Sequence, residues 1–252
     1  MCVGGRVYAA TFVAVAFIVS GGLGHEGGAL AGDDPDDPTV ILFSGRDIWR
    51  NGAFAYGGFL TAPGGFEQDG LMLKVMLSGG AYRYTAQDLN TNVIGVEAVV
   101  QVLPGWRIKR GNVEAKVFFG LDIERHQLWP DDPANRLRGS DIGARFALEF
   151  WYEPTPDTMM VGEVSLSTIA TNNSARIAYG WRVPDDVIGI GDYYVGPEAQ
   201  YFASDGYRHW RFGAHVTGLK ADGHEWSAAA GFARDSDERS SPYLRLGFIQ
   251  RQ

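Results

Sequence analysis

Apolar and polar positions alternate with period two along most of the chain. In the stretch from Val113 to Glu124, Val113, Ala115, Val117, Phe119, Leu121 and Ile123 share one side, while Glu114, Lys116, Phe118, Gly120, Asp122 and Glu124 share the other. Successive side chains of a strand point to opposite faces, so this spacing predicts a strand with one greasy and one largely charged face. From Ile142 to Tyr152 the split recurs, with Ile142, Ala144, Phe146, Leu148 and Phe150 opposed to Gly143, Arg145, Ala147, Glu149 and Trp151. Ile94 to Val102, Tyr193 to Tyr201 and Arg208 to Leu219 alternate in the same way. None of these stretches follows the 3.6-residue period of an amphipathic helix.

Applied to the whole chain, the pattern predicts about twelve strands over 40–49, 53–62, 71–84, 92–102, 113–124, 141–152, 158–168, 174–183, 192–202, 208–219, 224–233 and 242–250. Turn chemistry separates them at Ala62-Pro63-Gly64-Gly65, Pro104-Gly105, Pro154-Thr155-Pro156-Asp157, Asn172-Asn173, Ser204-Asp205-Gly206 and Ala221-Asp222-Gly223. Strands of roughly 9–11 residues are what a tilted membrane strand requires. The predicted fold is therefore all-β: an outer-membrane-type, antiparallel, up-and-down β-barrel of about twelve strands.

A soluble β-sandwich with one wet face would alternate too. Two features favour the barrel. The polar face carries Gly80, Gly95, Gly120, Gly143, Gly180, Gly196, Gly213 and Gly231, as a crowded concave interior requires. The apolar face carries Tyr152, Tyr179, Trp181, Tyr193, Tyr201, Trp210, Trp226 and Phe248 near strand ends, in the manner of interfacial girdles.

The first residues read as an address. Arg6 precedes an apolar run from Val7 to Ser20, and Ala29-Leu30-Ala31 is a small-residue cleavage site, which together predict a secretory signal peptide over 1–31. That run is shorter than the ~20 residues a membrane-spanning helix needs. Residues 32–39, with Asp33-Asp34-Pro35-Asp36-Asp37, read as a flexible tail, and 40–252 as the barrel domain. The single cysteine, Cys2, falls in the signal segment. The exported chain must therefore be held without disulfides, by a core or by hydrogen bonds closed around a barrel. A net charge of -8 with no basic run argues against a nucleic-acid partner. The expected location is the outer membrane, with its lipids as partners.

Seven segments taken in order add a resemblance. They are Leu42-Phe43-Ser44-Gly45-Arg46-Asp47-Ile48-Trp49, Ala55-Tyr56-Gly57-Gly58, Leu103-Pro104-Gly105-Trp106-Arg107-Ile108-Lys109-Arg110-Gly111, Asp131-Asp132-Pro133-Ala134-Asn135-Arg136-Leu137-Arg138-Gly139, Trp151-Tyr152-Glu153-Pro154-Thr155-Pro156, Tyr194-Val195-Gly196-Pro197-Glu198 and Phe212-Gly213-Ala214-His215-Val216-Thr217-Gly218-Leu219. Together they resemble the BcsS family of cellulose-biosynthesis proteins, from about Val40 to the C-terminus. The resemblance implies a place in bacterial cellulose production at a Gram-negative outer membrane, with cellulose or other cellulose-synthase components as partners. It supplies no catalytic residue.

Candidate chemistry is sparse. Outside the signal segment the histidines are His126, His209, His215 and His224, and there is no G-x-S-x-G elbow or H-E-x-x-H helix. His209 and His215 share the polar face of one strand, about 20 Å apart, too far to share a metal or a proton. No metal and no cofactor are expected. Asp122, Glu149 and Glu198 would be the carboxylates to test for glycoside cleavage. On the same polar face, Lys74, Lys116, Arg145, Arg176 and Arg211 balance Glu97, Glu114, Asp122, Glu149 and Glu198, which predicts a self-satisfying lumen network that also takes in His209 and His215. The longest connection, Arg125 to Ser140, follows the fifth strand; it faces outward by strand parity and offers Trp129, Asp131 and Asp132 as contact residues. The leading reading is a non-catalytic outer-membrane barrel supporting cellulose biosynthesis or secretion. A pore for glucan export, with Trp151 and Tyr194 stacking on sugar rings, and a barrel hydrolase acting on lipid or glycan are the alternatives.

Overall fold

The structure is a computed structural model that describes residues 38–86, 89–184, 192–221, 224–236 and 239–252. The signal segment, most of the tail and the Asp222-Gly223 turn lie outside the described residues. The strands are β1 (Val40–Trp49), β2 (Gly52–Thr61), β3 (Gly70–Ala86), β4 (Thr91–Arg110), β5 (Val113–Trp129), β6 (Gly139–Thr155), β7 (Thr158–Ser167), β8 (Asn173–Val183), β9 (Tyr193–Ser204), β10 (Tyr207–Ala221), β11 (His224–Asp235) and β12 (Ser240–Arg251). Each pairs antiparallel with its sequence neighbours, and β1 pairs with β12 from Ile41↔Arg251 to Trp49↔Tyr243, which closes the barrel. Closure gives every strand two hydrogen-bonded neighbours, the arrangement that a strand protein needs in an apolar solvent. No helix of the described residues is long and apolar enough to cross a membrane.

Alternation decides which side chains line the lumen. On β5, Glu114, Lys116, Phe118, Asp122, Glu124 and His126 turn inward, while Phe119 is 64% and Leu121 55% exposed on the outside. The aromatic residues named above from the apolar face sit outside as two girdles. Tyr152, Tyr179, Trp181, Tyr193, Trp226 and Phe248 lie toward the end that carries β1's start and β12's finish, here the terminal end; Tyr201 and Trp210 lie toward the opposite, far end. Interior glycines make room for aromatic rings. A Cβ on Gly95 would collide with the Tyr82 ring, and one on Gly45 with Tyr56.

Two expected boundaries are corrected. Pro104-Gly105 is not a turn. β4 runs through it, the pairing with β5 holding one register on both sides, Val102↔Leu121 before and Gly105↔Phe118 after. Proline lacks an N–H, so it drops one rung without ending the strand. Likewise β5 continues to Trp129, so the long connection shrinks to residues 130–138 and His126 sits in the barrel wall, buried. The outer face of β5 turns polar there, at Arg125 and Gln127, and the loss of contrast hides the strand from a pattern reading.

Between β2 and β3 the chain makes a longer excursion at the terminal end. It is pinned to the end of β4, where the Lys109 amide donates to Asp69 at 2.7 Å and Arg110 pairs with the same carboxylate at 2.6 Å. Those donors hold the Asp69 carboxyl below its ordinary range, the Lys109 backbone hydrogen bond first among them. The excursion delivers Phe66 into an apolar cluster with Ile41, Leu60, Ala62, Met72, Leu103, Phe118 and Ala147, which fills the terminal half of the lumen on that side.

The two faces generate a direct test. Leu121→Arg puts a charge on the apolar outer face and should cost about 2–4 kcal/mol of barrel stability. Lys116→Gln, on the inner face where Glu114 keeps Arg107 as its partner, should leave assembly intact. Heat-dependent mobility on an SDS gel reads the folded fraction of each variant, and equal loss in both would reject this assignment of faces.

Candidate functional site: a charged, cross-braced lumen

The lumen is occupied by ion pairs that join strands not adjacent in the wall. Asp47 on β1 accepts both carboxylate bonds, at 2.7 and 2.6 Å, from Arg211 Nη1 on β10. Lys74 on β3 reaches Glu149 on β6 at 2.5 Å. Arg245 on β12 reaches Glu198 on β9 at 2.6 Å. Each of these contacts passes over two intervening strands in the barrel order, so each is a brace across the interior rather than a rung along it.

Arg211 is the centre of the first group and is fully buried. Besides Asp47 its Nε donates to His209 Nε2 at 2.7 Å and Nη1 to Gln200 Oε1 at 3.4 Å. Its guanidinium lies 4.5 Å from the Trp49 ring centre, 4.8 Å from Phe202 and 5.2 Å from Tyr243. Planar, delocalised and weakly hydrated, a guanidinium tolerates such an aromatic cage where an ammonium would lose more solvation. The bond from Arg211 requires His209 Nε2 to be an unprotonated acceptor, so His209 acts as a neutral packing partner in this group.

A second group surrounds Arg145. Its Nε and Nη2 donate to Asp122 Oδ2 at 3.0 and 2.8 Å, Nη2 also reaches Glu124 at 3.1 Å, and Nη1 donates to Ser165 at 2.8 Å. Ser167 adds a 2.5 Å bond to Asp122. His126 stands 3.3 Å from Glu124 and 3.8 Å from Glu97, with the Tyr82 hydroxyl 3.1 Å from its Nδ1. The third group is centred on Glu198, which accepts from Arg176 at 3.1 Å, Arg245 at 2.6 Å, Tyr243 at 2.8 Å and Gln200 at 2.5 Å. Arg176 also holds Glu163 at 3.0 Å. His215 is buried separately, with Nδ1 2.9 Å from the Thr217 hydroxyl and Nε2 3.1 Å from the Tyr179 carbonyl.

Toward the terminal end the charges are wetter. Glu114 pairs with Arg107 and with Lys116, both at 3.0 Å, and Lys74 lies 5.4 Å from the Phe43 ring centre and 5.7 Å from Phe118. A cavity of about 90 Å³ opens here among Glu114, Lys116, Glu149, Trp151 and Glu163. That is room for a few waters, far below the ≈ 300–1,000 Å³ of ordinary small-molecule sites. Trp151 meets Tyr194 edge-on at 5.9 Å, so the two rings pack on each other.

All twelve residues read from the sequence as a lumen network, namely Lys74, Glu97, Glu114, Lys116, Asp122, Arg145, Glu149, Arg176, Glu198, His209, Arg211 and His215, point inward. They form several groups rather than one. Asp122, Glu149 and Glu198 are each held by different cations, Arg145, Lys74 and the Arg176–Arg245 pair, so the structure does not bring them together as a carboxylate pair. The structure adds Asp47, Arg107, Glu124, His126, Glu163 and Arg245 to these groups, of which the sequence reading places Glu124 on a polar face and names His126 but assigns neither to the network. Asp47 and Arg245 sit on the inward parity of β1 and β12, the signal that would have found them. Among the described residues no group of three His, Cys, Asp or Glu side chains is arranged to hold a metal ion.

The far-end connection also differs in part from expectation. Trp129 is 54% exposed on the outer face and Asp131 is exposed, bound to Arg138 at 2.6 and 2.9 Å. Asp132 is buried, accepting from the Tyr84 hydroxyl at 2.7 Å and from the Ala134 amide at 3.2 Å, while Asn135 donates to the same Tyr84 at 2.8 Å. Asp132 therefore ties the connection down to β3 and offers no free surface to a partner.

Comparison with known proteins places this architecture. None of the curated proteins matches the sequence. Among solved structures, the chain is similar to the β domain of the Bordetella autotransporter BrkA (TM-score 0.53, 12% identity, 86% of this chain and 100% of that one). It is similar also to an outer-membrane channel from Pseudomonas putida (TM-score 0.53, 10% identity, 88% and 100%). A third likeness is to the translocator domain of the autotransporter NalP from Neisseria meningitidis (TM-score 0.50, 10% identity, 87% and 90%). At these identities the likeness is one of fold, the outer-membrane barrel. The family model for cellulose biosynthesis protein BcsS matches residues 41–252, the whole of the barrel but its first residue, and the chain belongs to that family.

Proposed function

We propose that this protein is a non-catalytic outer-membrane barrel that supports bacterial cellulose biosynthesis or secretion as a scaffold, with both ends of the barrel chain in the periplasm and the far end exposed outside. The observation that carries this reading is the set of braces across the lumen, Asp47–Arg211, Lys74–Glu149 and Glu198–Arg245, in a member of the BcsS family. A glucan chain threading such an interior would have to displace buried charge pairs, and breaking one by removing a partner costs about 3–5 kcal/mol. Proteins of this family serve cellulose production, and a filled, rigid barrel serves it through its surfaces more readily than through its bore. The signal segment over 1–31 delivers the chain to that membrane, and the membrane's lipids together with cellulose or the synthase components are its partners.

A catalytic role finds no support in the lumen chemistry. Among the described residues the buried histidines are matched to hydrogen-bond partners, and the one Ser or Thr hydroxyl beside such a histidine, Thr217 at His215 Nδ1, has no orienting acid on the other ring nitrogen, which faces the Tyr179 carbonyl. His126 has Tyr82 and Glu124, His209 has Arg211, and His215 has Thr217 and the Tyr179 carbonyl.

The reading is tested by cellulose output in cells lacking the protein and complemented with variants at matched levels of assembled barrel. His126→Gln, His209→Gln and His215→Gln should each restore output to within about twofold of the unaltered protein. Abolished output from one of these substitutions, with the barrel intact, would move the case to a hydrolase. Conductance in planar bilayers separates scaffold from pore: the unaltered protein should show little steady current, and Asp47→Ala with Arg211→Ala should raise it by removing a brace without stranding its partner. Large, stable openings in the unaltered protein would favour the glucan pore.

A further inference from the structure

Charge is sorted by face as well as by pairing. In every described strand the Asp and Glu side chains fall on the inward parity, from Asp47 on β1 to Asp235 on β11. The outward parity carries only arginine: Arg46, Arg83, Arg110, Arg125, Arg208 and Arg234, with no lysine and no acid among them. These six divide unevenly between the two ends. Arg110, the one at the terminal end, is paired with Asp69 at 2.6 Å. Arg46, Arg83, Arg125, Arg208 and Arg234 lie within four residues of the far end of their strands, all are exposed, and none takes part in an ion pair among the described residues.

An apolar band flanks them, with Ile48, Ile94, Ile142, Phe232 and Trp210 exposed at the same end. Facing hydrocarbon, each guanidinium is costly near the midplane and nearly free at the interface, where a long side chain reaches the headgroups. Five cations on one rim of an apolar surface, none of them paired with an acid among the described residues, repel one another unless anions enter. Arg208 and Arg234 are the tightest pair. Arg234 sits opposite Trp210, so Arg208, two residues away on the same face, is its diagonal neighbour at roughly 7–8 Å. Two guanidinium forks at that spacing suit phosphate groups, which they bind by parallel, charge-assisted hydrogen bonds.

We infer that the far-end rim of the outer face, centred on Arg208 and Arg234 and continued by Arg46, Arg83 and Arg125, is a docking surface for the phosphorylated headgroup of a glycolipid in the outer leaflet. The inference rests on the outer-membrane reading above for the identity of that leaflet. The unequal rims agree with it: the periplasmic rim holds its one outer arginine neutralised by its own Asp69, and the external rim leaves its arginines to the lipid. Phosphates there would bridge guanidinium groups on neighbouring strands, and the bound lipid would belong to the barrel's first shell.

The test uses the full barrel purified in neutral detergent and a phosphorylated glucosamine-based glycolipid, with its dephosphorylated form as control, bound lipid being counted by native mass spectrometry. Binding should be at least about tenfold tighter for the phosphorylated lipid, about 1.4 kcal/mol, because charge-assisted hydrogen bonds to phosphate are the stronger ones, and should weaken as salt rises. The Arg208→Gln/Arg234→Gln double variant should lose about tenfold, whereas Arg110→Gln, at the other rim, should bind as the unaltered protein does. Equal binding of the two lipids, an unaffected double variant, or full competition by millimolar inorganic phosphate would overturn the proposal. Fractionation of cells is a separate measurement: a barrel found outside the outer membrane would defeat the location while leaving the binding result to be judged by itself.

Discussion

The ladder between β1 and β12 is the interaction on which everything else depends. Without the run from Ile41↔Arg251 to Trp49↔Tyr243 the sheet would have two edges, each presenting unpaired N–H and C=O groups. An apolar solvent offers such groups nothing, so an open sheet of this composition would be neither soluble nor insertable. Once closed, the sheet has an inside and an outside, and period-two alternation assigns every strand residue to one or the other. A shift of one residue at the closing ladder would exchange the faces, carrying Asp47 out and Ile48 in. The charged lumen is therefore part of what fixes register, because Asp47 finds Arg211 only in the pairing observed.

Buried ion pairs are weak sources of stability, since desolvation offsets most of the Coulombic gain. Their value in this barrel is geometric. An apolar interior could pack in many ways, but Arg211 must satisfy Asp47, His209 and Gln200 at once while lying among Trp49, Phe202 and Tyr243. Few cross-sections of a twelve-strand barrel meet those demands together. The apolar cluster around Phe66, Leu103 and Phe118 complements this, filling with hydrocarbon the part of the bore that the charges leave. One side of the terminal half is built like a protein core, and the charged groups share the rest of the lumen.

Most of this could be read from the chain where the two faces contrast strongly. Leu121 beside Asp122 or Phe146 beside Arg145 announces which side is which. The contrast fails where the outer face meets water or headgroups, because both faces are then polar: Arg125 and Gln127 flank His126, and the end of β5 passes for a loop. Proline misleads in the opposite way. Pro104 followed by Gly105 carries turn chemistry, yet on an outward position in a wall already hydrogen-bonded on its other side it costs one rung. Inward parity was legible for the lumen residues, but partnership was not. Lys74 and Glu149, or Glu198 and Arg245, are distant in sequence and two strands removed in the wall, so only the closed geometry brings them together.

Sorting by charge follows from the same closure and reaches beyond the lumen. An acidic chain of net charge -8 must place its carboxylates somewhere, and an outer face meeting lipid cannot hold them without loss. In the strands they go inside, where lysine and arginine can reach them. This leaves the outer face free to carry cations alone, and guanidinium groups at a rim are the ionised side chains best suited to lie between hydrocarbon and phosphate. The pairing of acids with bases in the lumen and the absence of acids from the outward parity of the described strands are thus one partition: each carboxylate drawn inward removes a neutraliser from the outer face, and the unpaired arginines remain where anionic headgroups would meet them.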